Sequence, residues 1–381
     1  MNRIKLNNPS SLVFGAGCIN QIAEDYKITE CKRFFIITIP PVLEQISSLL
    51  NDLSSKGIAI KTITTIKGEP SFSDFEQILS AARDFQADSV AGIGGGSVMD
   101  VSKLVAALFD GKQQAKSVVG TGLIKGRHIP LICAPTTSGT GSEVSPNAIL
   151  LDEEQHAKLG IISPWLVPDK VYVDPSLTRG LPPQVTAFTG IDALTHCIEA
   201  YTNRFAHPMV DTFALEGIRL ISTNLKKAYE NGNDLEARSN LSLGSVYGGM
   251  CLGPVNTAAV HALAYPLGSD YKIAHGISNA LMLTYIMEFN LSSSENRYAN
   301  IARGAGISNS KSDHEAALES ISFFRKLIKD CGMPLKLSEI GIPYGDIKKL
   351  AESALLVQRL LKNNPREISL ADAESIYQKA Y

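Results

Sequence analysis

The first half of the chain alternates apolar segments with amphipathic segments, and this alternation limits the possible folds more than any other feature. Four short runs rich in β-branched residues, from RFFIITI (33–39) to IPLICAP (129–135), are separated by stretches with helical periodicity. Strands and helices that alternate in this way form a parallel sheet with helices on both faces. The pattern therefore predicts a doubly wound α/β domain, the usual framework for binding nucleotides.

The texture of the sequence changes after DKVYVDPSL (169–177). Strand-like runs stop, and long helical patterns such as ALEGIRLISTNLKKAYENG continue to the end. The second domain is therefore predicted to be all-helical. Chain-breaking residues at 174–175 and 180–183 place the boundary near residue 175, with an α/β domain over 1–175 and an all-α domain over 176–381.

Charge and cysteine usage restrict the partners and the compartment. The chain has 36 Lys and Arg against 38 Asp and Glu, a net charge of -2 that offers no basic field for nucleic acid or an anionic membrane. The six cysteines are scattered without a CxxC pair, as in reduced cytosolic proteins. The N-terminal segment MNRIKLNNPSSLVFGAG lacks the apolar run that a signal peptide needs, and no apolar stretch has the length of a membrane helix. We expect a cytoplasmic protein with a small-molecule substrate, and neither nucleic acid nor membrane as a partner.

A glycine-rich loop joins a predicted strand to a predicted helix in DSVAGIGGGSVMDVSK. Gly95, Gly96 and Ser97 follow the strand directly. Adjacent glycines let backbone approach a ligand closely, and a helix start offers unpaired N–H groups that suit a pyrophosphate. Because the spacing differs from G-x-G-x-x-G, a tight turn that binds nothing remains the alternative.

A second polar loop, APTTSGTGSEVSPNA (134–148), follows another predicted strand of the same sheet. Parallel strands deliver their carboxyl ends to one edge, so Thr136, Thr137, Thr140 and Ser142 are expected at the same edge as the glycines. The alternative is that these hydroxyls only cap a helix start. Two phosphate-compatible loops at one edge favour a dinucleotide.

A set of metal-binding side chains lies in the helical half. Asp192 and His196 are four residues apart on a predicted helix, which places both on one face. His261 lies on another predicted helix, and His275 follows beyond PLG (266–268), where we expect the chain to fold back. Three imidazoles and one carboxylate suit Fe(II) or Zn(II) better than calcium or magnesium.

The alternative for any one of these histidines is a hydrogen-bonded core residue. Three of them within about 80 residues, accompanied by a carboxylate, favour a metal site instead. The remaining histidines are interpreted as surface residues: His128, His156, His207 and His314.

Six segments resemble, in order, those of the iron-containing alcohol dehydrogenase family, which includes lactaldehyde reductases and 1,3-propanediol dehydrogenases: SLVFGAG, GEPSF, GIGGGSVMD, PTTSGTGSEVS, TGIDALTHCIEAY and HALAYPLGSDYKIAHGISNA. The resemblance implies hydride transfer between NAD or NADP and a small alcohol, diol or hydroxyaldehyde. It also implies a homodimer, with the strand-like arm RIKLNNPSSLVFG in the subunit interface.

The resemblance also assigns site residues. Its implied metal ligands, which are also the catalytic residues, are the four that the spacing suggests: Asp192, His196, His261 and His275. Its implied cofactor-binding residues are Gly95, Gly96, Ser97, Asp100, Thr136, Thr137, Thr140, Asn147 and Lys158.

Two positions depart from the commoner family pattern. Ile39 stands where many members have an aspartate that binds the ribose 2′-hydroxyl, which leaves NAD and NADP both open. Glu44 is the next charged residue and would repel a 2′-phosphate, which favours NAD. Tyr265 stands where many relatives have a second histidine four residues after His261 that is thought to relay the alcohol proton. A phenol does not readily carry positive charge, so the role of Tyr265 is open.

Two other functions compete with this interpretation. A metal enzyme of the glycerol dehydrogenase or dehydroquinate synthase type shares the fold, although those relatives use a smaller ligand set than the four residues present here. A non-catalytic sensor of nucleotide or metal on the same scaffold is the alternative from a different class. Such a sensor would bind NAD(P)H and metal without turning over alcohol or aldehyde.

Overall fold

The computed structural model of the protein describes residues 3–25, 31–154 and 157–381. The chain divides into two compact units. The helical unit comprises Met1–Leu6, Ser138–Thr140 and Leu181–Tyr381, and the sheet unit comprises Asn7–Thr137 and Gly141–Gly180.

The sheet unit is built on six parallel strands in the order β1-β9-β6-β4-β2-β3. Strands β2 and β3 lie on one side of β4, and β6, β9 and β1 lie on the other side. This order confirms the predicted doubly wound parallel sheet. The strands are β1 (Ser11–Phe14), β2 (Arg33–Ile37), β3 (Ala59–Ile63), β4 (Ser89–Gly94), β5 (Gly120–Thr121), β6 (Leu131–Pro135), β7 (Asn147–Asp152), β8 (Ala157–Ile162) and β9 (Lys170–Val173). The helices of this unit are α1 (Ile22–Asp25), α2 (Pro40–Gln45), α3 (Ser47–Ser55), α4 (Phe72–Asp84) and α5 (Gly96–Leu108).

Strand β2 shows why both faces of the sheet are covered by helices. Its side chains alternate between two apolar cores, because successive residues of a strand point to opposite faces. Phe34 and Ile36 pack in the core that contains residues of α1, α2 and α3. Phe35 and Ile37 pack in the core that contains residues of α4 and α5. A strand buried on both sides reads as a continuous apolar run, which is the pattern RFFII.

Two local features of the sheet unit differ from the sequence-based interpretation. The stretch 40–57 forms two helices rather than one, because fully buried Ile46 has non-helical backbone with φ -102° and ψ 10°. Strands β7 and β8 pair with each other in antiparallel orientation, and β8 also pairs in parallel with β5 in a small second sheet.

The helical unit is formed by nine α-helices among the described residues, and this confirms the predicted all-α second half. One large apolar core runs through most of it. The longest helix, α10, is kinked at Ser294, where φ is -136°. The helices are α6 (Pro183–Thr202), α7 (Pro208–Glu230), α8 (Leu235–Leu252), α9 (Ala259–Tyr271), α10 (His275–Gly304), α11 (Asp313–Asp330), α12 (Ile347–Leu355), α13 (Gln358–Leu361) and α14 (Leu370–Lys379).

The described helices and the cysteines bear on two expectations about the environment. In residues 3–25, 31–154 and 157–381, no helix combines the length and the apolar character that crossing a bilayer requires. All six cysteines are free thiols, and Cys133, Cys197, Cys251 and Cys331 are buried.

Candidate functional site

The candidate metal centre takes its side chains from three helices. Asp192 and His196 lie one turn apart in the middle of α6, where both are buried. His261 lies in the first turn of α9, and His275 is the first residue of α10. Residues that are distant in sequence thus meet because α6, α9 and α10 pack around one core.

The turn that brings His275 back to His261 is not where the sequence suggested. The segment 266–268 was expected to break the helix, but Pro266 and Gly268 lie inside α9, which continues to Tyr271. The helix ends at Lys272, which adopts the left-handed conformation with φ 56°. Its N–H donates to the Gly268 carbonyl in the last turn. Proline thus only removes one backbone donor from this helix, and the direction of the chain changes six residues later.

One carboxylate oxygen forms the middle of the cluster. Asp192 Oδ1 lies 3.7 Å from Nε2 of His196, 3.6 Å from Nε2 of His261 and 3.7 Å from Nε2 of His275. The ligand atoms of Asp192, His261 and His275 all lie within 4.8 Å of one another. His196 is outside that mutual set, although its ring stacks on that of His261 with centroids 4.9 Å apart.

Asn279 shows that the polar atoms of the cluster point to one place. Its Nδ2 lies 2.7 Å from Asp192 Oδ1 and 3.2 Å from Nε2 of both His261 and His275. One carboxylate oxygen and two imidazole nitrogens therefore converge on a single point, which is the arrangement that a cation requires. The Asn279 Oδ1 is buried and has no hydrogen-bond partner among the described residues. This donor set fits a divalent ion, and the sequence signal for Asn279 is its position one turn after His275.

The charges in this cluster depend strongly on one another. Burial alone would raise the pKa of Asp192, but the imidazoles of His196, His275 and His261 hold it well below its ordinary value. Burial lowers the pKa of His196. For His261 burial also acts downwards, but the carboxylates of Glu199 and Asp192 prevail and raise its pKa to about 10. Because a histidine binds a metal only through an unprotonated nitrogen, metal binding at this cluster opposes the raised pKa of His261.

The glycine loop forms an open helix start. Gly95 is the N-cap residue of α5, and no side chain accepts a hydrogen bond from the first turn. By contrast, α4 begins with a capping box between Ser71 and Asp74. The first N–H groups of α5 thus stay available for an anionic ligand.

The glycine loop and the first residues of the second polar loop (134–148), here called the threonine loop, lie side by side. The N–H of Thr136 donates to the Gly94 carbonyl at 3.0 Å. A Cβ on Gly95 would be 3.6 Å from Thr137 Oγ1, which is ordinary contact. The expected meeting of Gly95, Thr136 and Thr137 at one edge of the sheet is therefore present in the sheet unit.

A buried lysine that sequence reasoning missed supports the second loop. Lys103 Nζ donates to Ser142 Oγ at 2.7 Å and to the Asn147 carbonyl at 2.8 Å. Burial lowers the pKa of Lys103, although Asp100 opposes the change. Asp100 itself accepts hydrogen bonds from Ser142 Oγ and from the Ile149 N–H. Asp100 and Lys103 thus hold the loop in place, and their spacing of three residues on α5 is the signal for it.

The other expected cofactor residues lie on several different elements. Asn147 begins β7, and its Oδ1 is buried without a hydrogen-bond partner among the described residues. Lys158 lies on β8 and forms an ion pair with Glu69. Gly96 and Ser97 are in the first turn of α5, whereas Thr140 belongs to the helical unit.

The two positions that depart from the family pattern have clear surroundings. Ile39 follows β2 and is the N-cap residue of α2, and Glu44 lies exposed in that helix. Tyr265 is half-buried, and its ring centroid lies 5.9 Å from that of His275. Its hydroxyl oxygen accepts a hydrogen bond from Arg359 Nη2 at 3.1 Å.

The remaining histidines are mostly peripheral, with one correction. His128 pairs with Asp110, and exposed His314 pairs with Glu295. The surface interpretation of His207 is wrong, because this residue is 9% exposed and its Nδ1 accepts from the Met209 N–H at the start of α7. His156 lies outside the described residues.

The sequence matches one protein family in both halves. Residues 9–175 match the family description "Iron-containing alcohol dehydrogenase", and residues 186–381 match "Fe-containing alcohol dehydrogenase family, C-terminal". The two matched segments together span most of the chain.

Individual relatives are similar over nearly their whole length. The chain is 37% identical over 373 residues to long-chain-alcohol dehydrogenase 1 of Geobacillus thermodenitrificans, covering 96% of this chain and 94% of the relative. It superimposes on the crystal structure of a 1,3-propanediol oxidoreductase with a TM-score of 0.95 at 29% identity, covering 100% of both chains. A sulfoacetaldehyde reductase from Bifidobacterium kashiwanohense, solved in complex with NAD+, gives a TM-score of 0.90 at 26% identity, covering 100% of this chain and 99% of that one.

Proposed function

The chain belongs to the iron-containing alcohol dehydrogenase family, and from that premise we propose that Asp192, His196, His261 and His275 hold its metal while the loops of the sheet unit hold NAD. The observation that carries this proposal is the convergence of three imidazole Nε2 atoms on Asp192 Oδ1 at 3.6 to 3.7 Å. The substrate is a small alcohol, diol or hydroxyaldehyde. The 1,3-propanediol oxidoreductase and the sulfoacetaldehyde reductase among the similar structures support this chemical class.

The composition of the donor set selects the metal. Three neutral imidazoles and one carboxylate suit Fe(II) or Zn(II), and neither calcium nor magnesium prefers nitrogen. When bound, such an ion supplies the electrophile that polarises a carbonyl oxygen or favours loss of the hydroxyl proton of an alcohol. Asp192 contributes the negative charge, and Asn279 orients it by donating from Nδ2 at 2.7 Å.

The sheet unit supplies the nucleotide site. The N–H groups of Gly95, Gly96 and Ser97 at the open start of α5 bind the pyrophosphate. Thr136 and Thr137 lie against this loop and orient the nicotinamide half, with Thr140, Asn147 and Lys158 as further contacts and Asp100 as their support. Exposed Glu44 and the absence of an arginine or lysine in the turn 38–46 favour NAD over NADP.

The partners and the compartment complete the proposal. We propose a cytoplasmic homodimer that contacts neither nucleic acid nor membrane. The balanced charge of -2 and the six free thiols support this setting. The edge position of β1 supports a subunit contact through the N-terminal strand.

The experiment that tests the function is a substrate panel with a metal-site variant. Metal-free protein is reconstituted with Fe(II) under anaerobic conditions or with Zn(II), and small diols, hydroxyaldehydes and primary alcohols are assayed with NAD and NADP. We expect NAD-linked turnover of at least one small substrate. His261→Ala should lower kcat/KM by at least about 100-fold, because it removes a ligand from an electrophile worth several kcal/mol.

The matched control is His314→Ala, which removes an exposed histidine paired with Glu295 in the same unit. Metal content by elemental analysis should fall in His261→Ala and remain unchanged in His314→Ala. NADH binding, followed by fluorescence, should persist in both variants. Protein that binds NADH and metal but turns over no substrate would instead support the sensor alternative, and unchanged metal content in His261→Ala would contradict the ligand assignment.

A further inference from the structure

Glu199 is a buried carboxylate beside the candidate metal centre that the ligand set does not include. It lies on α6, seven residues after Asp192 and three after His196, and is therefore on the same face of that helix. Its side chain is buried, with 3% of the residue exposed. A carboxylate hidden from water needs partners that offset the loss of hydration.

Both oxygens of Glu199 are used by neighbouring residues of α9. Oε2 lies 2.6 Å from Nδ1 of His261, and Oε1 accepts from the Val260 N–H at 2.6 Å. Val260 is the second residue of α9, so its N–H has no partner within the helix. One side chain thus ties α6 to both the backbone and a ligand side chain of α9.

The contact also decides which nitrogen of His261 can bind a cation. A neutral imidazole has one N–H and one lone pair, and an ionised carboxylate can only accept hydrogen bonds. The proton must therefore lie on Nδ1, facing Glu199, and the lone pair is left on Nε2. That Nε2 lies 3.6 Å from Asp192 Oδ1, on the side where the ligand atoms converge.

We propose that Glu199 is a positioning residue, which fixes the tautomer and the ring orientation of His261 and thereby sets the metal affinity of the centre. This inference rests on the proposed function, because it takes the cluster to be a metal site. Partners that orient a metal-ligating histidine in this way change the metal affinity by about 10- to 100-fold when they are removed.

An isosteric amide cannot replace this carboxylate. The site presents two donors, the Nδ1–H of His261 and the N–H of Val260, and glutamine offers only one acceptor. If its amide nitrogen faces Val260, two donors oppose each other. If the amide nitrogen faces Nδ1, the imidazole proton must move to Nε2, where it blocks the lone pair that the metal needs.

The test is a Zn(II) titration of the full-length, metal-free protein against a chromophoric chelator, with Glu199→Gln compared to the parent. We expect the Zn(II) dissociation constant to rise by about 10- to 100-fold. The matched control is Glu216→Gln, the same chemical change at an exposed carboxylate paired with Arg219 on α7. Its Zn(II) affinity should stay within about twofold of the parent, since exposed ion pairs contribute little.

A merely structural role for Glu199 as a cap of α9 gives a different result. It would lower the melting temperature of the metal-free protein and leave both the Zn(II) affinity and the visible spectrum of the Co(II) form unchanged. That outcome would overturn the proposal. A weakened affinity together with an altered Co(II) spectrum supports it, because the spectrum reports ligand geometry.

The Glu199→Asp variant and the Zn(II) stoichiometry of the parent protein distinguish the remaining outcomes. Glu199→Asp retains the charge and both acceptors on a shorter side chain, so we expect an affinity loss smaller than that of Glu199→Gln. If glutamine prevents folding, an unchanged affinity in the aspartate variant overturns the proposal by itself. If the parent protein binds no stoichiometric Zn(II), the proposed metal centre fails, and the failure lies in the proposed function rather than in the role of Glu199.

Discussion

At the scale of single residues, Tyr265 lies beside the candidate metal centre, and its role in proton transfer is open. Its ring lies 5.9 Å from that of His275, and its hydroxyl accepts from the guanidinium of Arg359. A phenol that already accepts from a cation is poorly suited to receive a further proton. The contact with Arg359 therefore favours a packing role over a relay.

We predict that Tyr265→Phe lowers the rate of alcohol oxidation by less than about fivefold, since one exposed hydrogen bond contributes about 1 kcal/mol or less. The ratio of parent to variant rates should be the same at every pH, because no proton passes through the hydroxyl. The measurement is kcat as a function of pH, between mildly acidic and mildly alkaline buffers.

Arg359→Gln serves as the control for this prediction, since it weakens the same hydrogen bond and keeps the phenol. A relay would appear as selective slowing of Tyr265→Phe at low pH, where bulk base cannot substitute. In that case Tyr265→His, which places an imidazole at this position, should raise the oxidation rate above the pKa of the new histidine.

At the scale of elements, the threonine loop contains a buried acid that makes its stability depend on pH. Glu143 is 1% exposed. Burial raises its pKa to about 7 from an ordinary 4.5, although Lys103 opposes the shift. Glu143 therefore binds a proton more tightly in the folded protein than in the unfolded chain. As the pH rises from 4.5 to about 7, the free energy of unfolding falls because of this group.

We predict that Glu143→Gln, which stays neutral, is as stable as the parent near pH 4.5 and more stable by roughly 3 kcal/mol near pH 8, at about 1.4 kcal/mol per pKa unit. Denaturant unfolding at the two pH values measures the difference. Glu154→Gln, at an exposed carboxylate paired with Lys116, should change the stability little at either pH. Equal pH dependence in the parent and Glu143→Gln would mean that Glu143 is ionised in the fold at little cost.

The elements also show what sequence could reveal. Strands β2, β3, β4 and β6 were predicted because buried parallel strands are continuous apolar runs bounded by turns. The antiparallel pair β7–β8 was missed, since burial alternates along NAILLD and a further neighbour of β7 in the fold, Pro70, is far away in sequence.

Some residues of the candidate site could also be predicted from the sequence, and others could not. The spacing of Asp192 and His196 is a local signal, because residues four apart on a helix share a face. Glu199 and Asn279 were missed, because their roles depend on contacts with residues of other helices. Glu199 meets His261 across 62 positions, and Asn279 meets Asp192 across 87. The position of Asn279 one turn after His275 is a local signal for the site, but the contact with Asp192 is visible only in the fold.

At the scale of the whole molecule, β1 is an edge strand. Its hydrogen bonds show which of its N–H groups face β9 and which face the edge of the sheet. The N–H groups of Ser11 and Gly15 donate to β9 or the residue before it. Because donors alternate along a strand of a parallel pair, Leu12 and Phe14 direct their N–H groups to the free edge. An edge of this kind can pair with a second copy of the chain.

We predict that the protein is a dimer and that Leu12→Pro shifts it to monomer, because proline removes an outward N–H and is tolerated at a strand edge. Light scattering coupled to size exclusion at micromolar concentration measures the mass. Val13→Pro is the contrasting variant, since its N–H faces β9 and its loss should lower the melting temperature. A monomeric parent, or a dimer that persists in Leu12→Pro, would contradict an interface through this strand.

The division into units has a consequence for anyone who wishes to split the gene. The chain enters the helical unit for only three residues, Ser138–Thr140, before it returns to the sheet unit. There, Ser138 Oγ lies 3.0 Å from Ser242 Oγ, and a Cβ on Gly139 would come within 2.8 Å of Thr189. A truncation at residue 175 would keep Ser138 and Gly139 but would remove Ser242 and Thr189, the residues that they contact. Neither unit is therefore one uninterrupted stretch of the sequence, and we expect complementation by two fragments to need residues 138–140 supplied with the helical fragment.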